Sequence, residues 1–425
     1  MFIYDSIIIY KMMEHIEQLI FNQKQNVYIS GIGGVGKSYT MNHLYKKAIE
    51  KGINCVMTST TGISAHLING ITIHKWSGVV FPSYVNSEKE LMDFAQKCAS
   101  KVDKTNWNTV QLLFIDEVSM LGGNYIDLLN LVAKKVRNNN KPFGGIQLVL
   151  SGDMLQLPPV NDIMPYESIT WQELNLKYYV LTVPKRFTDE SYVRLLQRLR
   201  LGKIDVNDIN ELQKRNIKNF HPSEYEDETY IFPLKKQVEF HNRNKIDKIK
   251  TYSIIIKAVD KCNKTVNKDL FENTFNTPEL LEIKVGCKVL LTVNLDIENG
   301  LVNGSRGTVL KYDDNKITIR FPSGIYEIEK YNFKYEDKYV KMERLQFPIV
   351  LAYSLSIHKL QGSTLDKIVI DIGDRVFSDG QSYVALSRCR NINGLYLINF
   401  DARKIKANKE AIEFEKQMMK NAIID

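Results

Sequence analysis

The sequence is poor in cysteine, and its five cysteines are dispersed along 425 residues. No Cys-x-x-Cys pair occurs among Cys55, Cys98, Cys262, Cys287 and Cys389. A disulfide framework needs paired cysteines, and a structural zinc site needs clustered ones. The pattern therefore argues against both and predicts an intracellular, reducing compartment.

Long hydrophobic runs are missing as well. The apolar run at residues 7–10 lies between Asp5 and Lys11, and it is too short for a signal-peptide core or a membrane-spanning helix. We interpret this run as the first strand or helix of the fold and expect no membrane association. The sequence also shows no repeat, low-complexity tract or long linker.

The net charge is +8, with 44% hydrophobic and 25% charged residues. This balance is typical of a soluble globular protein, and the length allows two or three domains. A basic surplus suits a polyanionic partner such as nucleic acid. Many unrelated soluble proteins carry a similar surplus, so charge alone leaves the partner open.

Short apolar runs alternate with helix-like stretches in much of the chain. The continuous apolar runs at 27–30, 112–115 and 148–150 are typical of buried parallel strands, whereas the region 283–347 has short alternating strands separated by turn residues. The pattern predicts an α/β fold. Its predicted segments are a first lobe over 1–180 with a small insertion near 62–80, a second lobe over 181–282 and 348–425, and a small β-barrel inserted over 283–347.

A phosphate-binding loop follows the first of these strands. Residues 31–38 read Gly-Ile-Gly-Gly-Val-Gly-Lys-Ser, which fits the P-loop pattern G-x-x-x-x-G-K-[ST] between a strand and a helix. Backbone N–H groups of such a loop and the helix N-terminus attract phosphates. Lys37 would reach the β- and γ-phosphates, and the Ser38 hydroxyl would hold Mg²⁺. The predicted ATP contacts are Gly31, Gly33, Gly34, Val35, Gly36, Lys37, Ser38 and Tyr39.

Polar residues that complete an ATPase follow two later strands. Asp116 and Glu117 end the apolar run at 112–115. Asp116 would hold Mg²⁺ through its water shell, and Glu117 would position and deprotonate the attacking water. Gln156 follows the run at 148–150 and a Gly-Asp pair, where an amide can report whether a γ-phosphate is present.

Five longer blocks resemble, in order, the petite integration frequency DNA helicases of superfamily one. They lie at residues 58–78, 140–160, 295–309, 355–371 and 383–391. The resemblance implies an ATP-dependent 5′-to-3′ helicase that moves on single-stranded DNA and unwinds duplex, forked or structured DNA in replication, repair or recombination. It also implies two RecA-like P-loop motor lobes with ATP between them, and it identifies the β insertion as SH3-like.

The resemblance also assigns residues of the second lobe to the nucleotide. Arg186 and Arg388 would contact the γ-phosphate, where an arginine can raise the rate by roughly 10³–10⁵, and Gly362 would lie beside the phosphate. This chain has Lys-Arg-Phe at 185–187 where the family usually has Phe-Arg-Gln. Gln18 lies closer to the P-loop than the family's adenine-reading glutamine, which leaves specificity for ATP open.

A single strand would be held by backbone contacts together with base stacking, the latter worth about 1–3 kcal/mol per base. Trp76 could stack on a base or belong to the core, and His358 could contact DNA or be structural. Residues 241–243 are weaker candidates. The predicted DNA contacts are Thr60, Thr61, Gly62, His74 and Trp76 on the first lobe, and Ser356, His358, Lys359 and Thr364 on the second.

Two other functions remain open from the sequence. The chain could keep this fold as a binding protein without motor activity, or it could be an RNA helicase or a recombination ATPase, since backbone contacts alone do not separate DNA from RNA. The filled catalytic positions and the block matches favour the DNA helicase. We expect a monomeric motor. The compartment we expect is the nucleus or cytoplasm, either of the protein's own cell or of a host cell infected by a large DNA virus.

Overall fold

The structure is a computed structural model that describes residues 13–79, 87–187, 189–265, 271, 275, 277–296, 298–313, 315–336, 341–360 and 364–424. The apolar run at 7–10 lies outside the described residues, so its interpretation stays a prediction. Contacts divide the chain into two compact units. Unit 1 comprises residues 1–219 and 360–425, and unit 2 comprises residues 220–359.

The strands are given in chain order. They are β1 (Val27–Ser30), β2 (Cys55–Ser59), β3 (Ile71–Thr72), β4 (Leu112–Asp116), β5 (Gln147–Ser151), β6 (Lys177–Val180), β7 (Thr229–Phe232), β8 (Ser253–Lys257), β9 (Val259–Cys262), β10 (Leu280–Lys284), β11 (Lys288–Leu291), β12 (Arg306–Tyr312), β13 (Lys316–Phe321), β14 (Gly324–Glu329), β15 (Tyr331–Glu336), β16 (Lys341–Gln346), β17 (Ile349–Leu351), β18 (Ser354–Ser356), β19 (Ile368–Asp371), β20 (Leu395–Ile398) and β21 (Ile423–Ile424).

The α-helices follow in the same way. They are α1 (Lys37–Glu50), α2 (Gly62–Leu67), α3 (Ile73–Ser77), α4 (Glu88–Ala99), α5 (Lys104–Thr109), α6 (Gly123–Val136), α7 (Ile169–Glu173), α8 (Glu190–Arg200), α9 (Val206–Lys214), α10 (Lys235–Asp247), α11 (Gln381–Leu386) and α12 (Lys409–Lys420).

Unit 1 is built on a seven-stranded sheet in the order β21-β6-β1-β5-β4-β2-β3. Each of its strand pairs is parallel. Every residue of β1 and β4 is buried, as expected when helices cover both faces of a parallel sheet. The predicted parallel α/β sheet is therefore present, and its carboxyl edge carries the P-loop after β1 and the acidic pair at the end of β4.

The C-terminal segment belongs to unit 1. β21 pairs with β6, and Phe414 of α12 stacks on Tyr166 with ring centroids 4.4 Å apart. Residues 360–425, which the sequence pattern assigns to a second lobe, contribute to two sheets. β21 and α12 join the seven-stranded sheet, where Ala411 and Met418 are buried in the core, whereas β19 and β20 pair in parallel with each other outside that sheet. The boundary at residue 348 stays a prediction.

Unit 2 is rich in antiparallel strands. It has a five-stranded sheet in the order β14-β13-β12-β11-β17, a three-stranded sheet β15-β16-β9 and the pair β10-β8. The antiparallel pairing thus begins at β8, earlier than the boundary of 283 that the turn pattern predicts. The register explains this, since residues 280–284 pair with residues 253–257. The SH3-like identity of the insertion stays a prediction.

Two further observations concern the cysteines and the helix lengths. All five cysteines are free thiols in the structure. Across the described ranges, each helix is too short or too polar to cross a membrane.

Candidate functional site

The P-loop of unit 1 connects the buried strand β1 to helix α1. Its backbone needs glycine, because Gly34 and Gly36 have φ angles of 89° and 97°, in the left-handed region that favours glycine. A Cβ on Gly34 would also lie 2.6 Å from the Cβ of Arg186. The amide nitrogen of Arg186 donates to the carbonyl oxygen of Gly34 at 3.0 Å. The loop is thus fastened directly to the segment that carries Arg186.

Lys37 and Ser38 are the first two residues of α1, and their side chains bond to different partners. The Lys37 ammonium is buried and donates to the carbonyl oxygens of Gly31 at 2.7 Å and Ile32 at 3.1 Å. Burial lowers the pKa of Lys37, and the nearby carboxylates oppose that shift. The Ser38 hydroxyl donates to Asp116 Oδ2 at 2.8 Å. A hydroxyl beside a carboxylate at a P-loop is the donor set that Mg²⁺ takes in such sites.

Glu117 follows Asp116 in a strained conformation. Its φ is 54°, which is uncommon for a residue with a side chain and is often found at functional sites. The amide of Glu117 donates to Asp116 Oδ1 at 2.9 Å, and the Thr60 hydroxyl donates to the Glu117 carbonyl oxygen at 3.2 Å. These contacts hold the turn that brings the Glu117 side chain to the P-loop.

Gln156 lies after β5 with its side chain only 4% exposed. Its Nε2 donates to Asp153 Oδ2 at 3.3 Å, while its Oε1 has no hydrogen-bond partner among the described residues. A buried amide oxygen is costly when it is left unpaired. An acceptor of this kind beside a P-loop suits a water molecule or another donor that arrives with a ligand.

Two arginines face the same loop. Arg388 is 1% exposed, and its guanidinium donates to the Val384 carbonyl oxygen and the Ser387 hydroxyl, both at 2.9 Å. Arg186 donates to the Ser387 carbonyl oxygen at 3.0 Å. Burial, followed by the charge of Arg388, lowers the pKa of Arg186 to about 9. Arg388 is buried and Arg186 is half-buried, and two cations that repel each other in this setting would be stabilised by an anion placed between them.

The P-loop, Glu117, Gln156 and both arginines line one cavity of about 560 Å³ in unit 1. Contacts group both arginines with the P-loop in unit 1, and their position on a second motor lobe stays a prediction. Gly362 lies outside the described residues. The cavity is lined by Gly33, Gly34, Gly36, Lys37, Ser38, Tyr39, Glu117, Gln156, Lys185, Arg186, Thr364, Arg388 and Arg390.

Three of these lining residues were not predicted to line the nucleotide site. Thr364, a predicted DNA contact, lines the P-loop cavity, and its contact with DNA stays a prediction. The bonds from the Leu365 amide to the Arg388 carbonyl oxygen and from the Arg390 amide to the Leu365 carbonyl oxygen place Thr364 at the cavity. Lys185 and Arg390 were not predicted as site residues. The unusual Lys-Arg-Phe sequence was the available signal for Lys185.

The residues present fit a nucleoside triphosphate with Mg²⁺. Glycine amides and Lys37 would face the phosphates, while Ser38 and Asp116 would hold the metal ion. Gly31 and Val35 keep the loop tight, since a Cβ on Gly31 would lie 2.8 Å from Val35 Cγ2. Tyr39 is 70% exposed, so its ring is available to a ligand at the cavity mouth.

The predicted DNA contacts of the first lobe follow β2. Thr60 and Thr61 lie between that strand and α2, and the exposed Gly62 begins α2. The Thr61 hydroxyl bonds to that of Ser64 at 2.5 Å. The exposed His74 stacks on Tyr125 with centroids 4.6 Å apart. These four positions stay candidates for contact with a nucleic-acid backbone.

Trp76 is a core residue, so its predicted role in base stacking is wrong. Its side chain is 4% exposed, and its ring packs against Trp107 at a centroid distance of 4.7 Å. The physical reason is the short helix α3, which buries Ile73, Trp76 and Ser77 on one face. A ring enclosed in this way has no face left for a base.

We therefore expect Trp76→Ala to destabilise the protein. Removal of a buried Trp side chain costs about 3–5 kcal/mol, so the thermal midpoint should fall clearly. Tyr252 is 93% exposed, and Tyr252→Ala is the control that should stay close to wild type. Calorimetry checks both variants. A Trp76→Ala protein with a wild-type melting temperature would contradict the core assignment.

In unit 2, the predicted contacts form a basic group at the end of β18. Ser356 is 7% exposed, whereas Lys359 is exposed. Burial lowers the pKa of both His358 and Lys359, and the charge of Lys235 lowers them further. Lys235 lies outside the sequence motifs that predict DNA contacts. The two lysine side chains concentrate positive charge where a phosphate would be attracted.

Comparison with protein-family models supports the resemblance. Residues 8–219 match the model of the PIF1-like helicase, and residues 271–312 match the model of the 2B domain of DNA helicase Pif1. The chain is 34% identical over 412 residues to the ATP-dependent DNA helicase PIF1 of Xenopus laevis. The match covers 93% of this chain and 62% of that relative, so the chain spans less than two thirds of its length.

Solved structures of Pif1 helicases superpose on nearly the whole chain. The Pif1 helicase from Candida albicans superposes with a TM-score of 0.84 at 29% identity, covering 96% of this chain and 98% of that one. The Bacteroides Pif1 bound to ssDNA superposes with a TM-score of 0.75 at 27% identity, covering 96% and 97%. The predicted α/β class is confirmed by these neighbours. With two family models, a curated relative and two folds in agreement, the chain belongs to the PIF1-like helicase family.

Proposed function

We propose that the chain is an ATP-dependent DNA helicase motor that moves 5′ to 3′ along single-stranded DNA and unwinds duplex or forked DNA. The observation that carries the proposal is the cavity that brings together the P-loop, Glu117, the half-buried Arg186 and the buried Arg388. The relative from Xenopus laevis is named an ATP-dependent DNA helicase, and the Bacteroides structure contains ssDNA. The polarity rests on the family resemblance.

The geometry supports ATP hydrolysis by residues of unit 1. Lys37 would exchange its bonds to loop carbonyl oxygens for bonds to the β- and γ-phosphates. Mg²⁺ held by Ser38 and Asp116 would neutralise phosphate charge. Glu117 would orient the attacking water and accept its proton. Arg186 and Arg388 would stabilise the charge that develops on the transferred phosphoryl group.

The alternative functions predict that different nucleic acids stimulate ATP hydrolysis. ATP hydrolysis should be measured without nucleic acid, with single-stranded DNA and with single-stranded RNA. Strong stimulation by DNA, together with unwinding of a duplex that has a 5′ single-stranded tail, supports the proposal. Stimulation by RNA alone would replace it with an RNA helicase. Absence of hydrolysis under all three conditions would replace it with a binding protein.

Lys359 provides a test of the DNA contact on unit 2. For single strands the logarithm of affinity falls with the logarithm of salt concentration by about 0.7 per phosphate contacted. We expect Lys359→Ala to reduce that slope by about one contact and to impair unwinding more than basal hydrolysis. The exposed Lys257 pairs loosely with Glu279 at 3.9 Å, and Lys257→Ala is the matched control. An unchanged slope for Lys359→Ala would remove this residue from the DNA interface.

A further inference from the structure

A buried tyrosine contacts the P-loop and has no role in the nucleotide site described above. Tyr383 belongs to α11, and its side chain is 2% exposed. Its hydroxyl oxygen accepts a hydrogen bond from the Gly33 amide at 2.9 Å. The same hydroxyl donates to Asp153 Oδ2 at 3.5 Å. One phenol therefore joins the backbone of the phosphate-binding loop to a buried carboxylate.

That carboxylate is firmly held. Asp153 is fully buried and accepts bonds from Arg200 Nη2 at 2.8 Å and Arg200 Nε at 3.1 Å. Arg200 also donates to Glu415 Oε1 of α12 at 2.6 Å. A buried ion pair is costly to break, because the remaining charge is left without a partner. The Asp153–Arg200–Glu415 triad therefore fixes the point to which Tyr383 is attached.

The Asp153–Arg200–Glu415 triad is also connected to a residue that lines the P-loop cavity. Asp153 Oδ2 accepts a bond from Gln156 Nε2 at 3.3 Å, so the same oxygen serves Tyr383 and Gln156. An added Cβ on Gly33 would lie 3.4 Å from the Tyr383 hydroxyl and 3.6 Å from Arg388 Nη2. Gly33 is thus positioned by a phenol on the face of the loop that approaches the arginine.

We propose that Tyr383 is a positioning residue that fixes the P-loop backbone in its phosphate-binding conformation through its bond to the Gly33 amide. The inference rests on the proposed ATP site. The amides of a P-loop bind phosphates only when the loop is held in one conformation, and a preformed loop avoids the cost of ordering at each binding event. Tyr383 supplies the acceptor that holds it, and Asp153 holds Tyr383.

Tyr383→Phe tests the proposal because it removes only the hydroxyl. A net hydrogen bond of about 0.5–1.5 kcal/mol corresponds to roughly a 2- to 12-fold change in affinity. We expect the dissociation constant for fluorescent ADP and the KM for ATP to rise together by about that factor. The kcat should change less, because an interaction present in both ground and transition states affects KM alone.

Tyr125→Phe is the matched control. Tyr125 is 3% exposed in the same unit, and its hydroxyl donates to the Val79 carbonyl oxygen at 2.7 Å, away from the P-loop. Its loss should leave ADP affinity unchanged. Hydrogen–deuterium exchange of the peptide over residues 31–37 adds a readout without turnover, and only Tyr383→Phe should accelerate it.

The outcomes separate the inference from the proposed function. Unchanged ADP affinity and unchanged P-loop exchange in Tyr383→Phe would overturn the positioning role. An equal effect of Tyr125→Phe would also overturn it, since a general loss of stability would then explain both variants. If Tyr383→Phe behaves as expected while wild-type protein shows no DNA-stimulated hydrolysis, the loop role stands and the motor function fails.

Discussion

Arg388→Ala is expected to bind nucleotide but to lose roughly 10³-fold or more of its DNA-stimulated hydrolysis. The guanidinium is 1% exposed and lines the cavity beside Glu117. Burial lowers the pKa of Arg388, which means that the protein holds this cation in an unfavourable setting until an anion approaches. Charge that develops on the phosphoryl group in the transition state would relieve that cost, so the loss should fall on kcat.

Single-turnover hydrolysis and ADP titration test the expectation for Arg388 together. Arg194 provides the control, because it is exposed on α8 and forms only a surface pair with Glu190 at 3.3 Å. Arg194→Ala should behave as wild type, since surface pairs contribute little. If Arg388→Ala keeps hydrolysis within tenfold of wild type, the arginine is structural.

Glu117→Gln should bind ATP and hydrolyse it about 10²–10⁴ times more slowly, the usual contribution of a positioned general base. The amide keeps the size of the side chain but does not accept a proton from water. The strained backbone at Glu117, with φ at 54°, is not altered by this change, so the fold should be unaffected.

The kinetic signature of Glu117→Gln is accumulation of bound ATP. Rapid quench of a stoichiometric mixture should show ATP that persists on the protein, with a melting temperature near wild type. Glu173→Gln is the control, because Glu173 forms a peripheral pair with Lys134 at 2.9 Å. Near-normal turnover by Glu117→Gln would transfer the role of general base to another group.

The sheet that carries the P-loop was predictable because its strands are continuous apolar runs. A strand buried on both faces is built mainly from apolar residues, so β1, β4 and β5 are visible in the sequence. The packing of α12 and β21 on that sheet was not predictable in this way. α12 meets the first sheet through contacts such as Phe414 on Tyr166, and local pattern carries no information on a partner so distant in the chain.

The site likewise contains residues that were predictable from the sequence and residues that were not. Lys37, Ser38 and Asp116 were predictable, since phosphate and Mg²⁺ chemistry ties residue type to local spacing. Trp76 was not, because the same short motif suits a stacking platform and a core residue until the neighbouring Trp107 is known. Tyr383 was not predictable as a site residue, since a tyrosine within a short buried helix is ordinary until its hydroxyl is seen to accept a bond from the P-loop amide.

The buried triad has a consequence for how the chain is made. Arg200 and its partner Glu415 are 215 positions apart, and all of unit 2 lies between them in the sequence. At ordinary rates of translation, roughly 10–40 s would separate the emergence of the two side chains from the ribosome. During that interval Arg200 can pair with Asp153 alone, and β6 lacks its neighbour β21 at the sheet edge. The nascent P-loop sheet therefore has an open edge that a ribosome-bound chaperone could protect, while unit 2 can already fold.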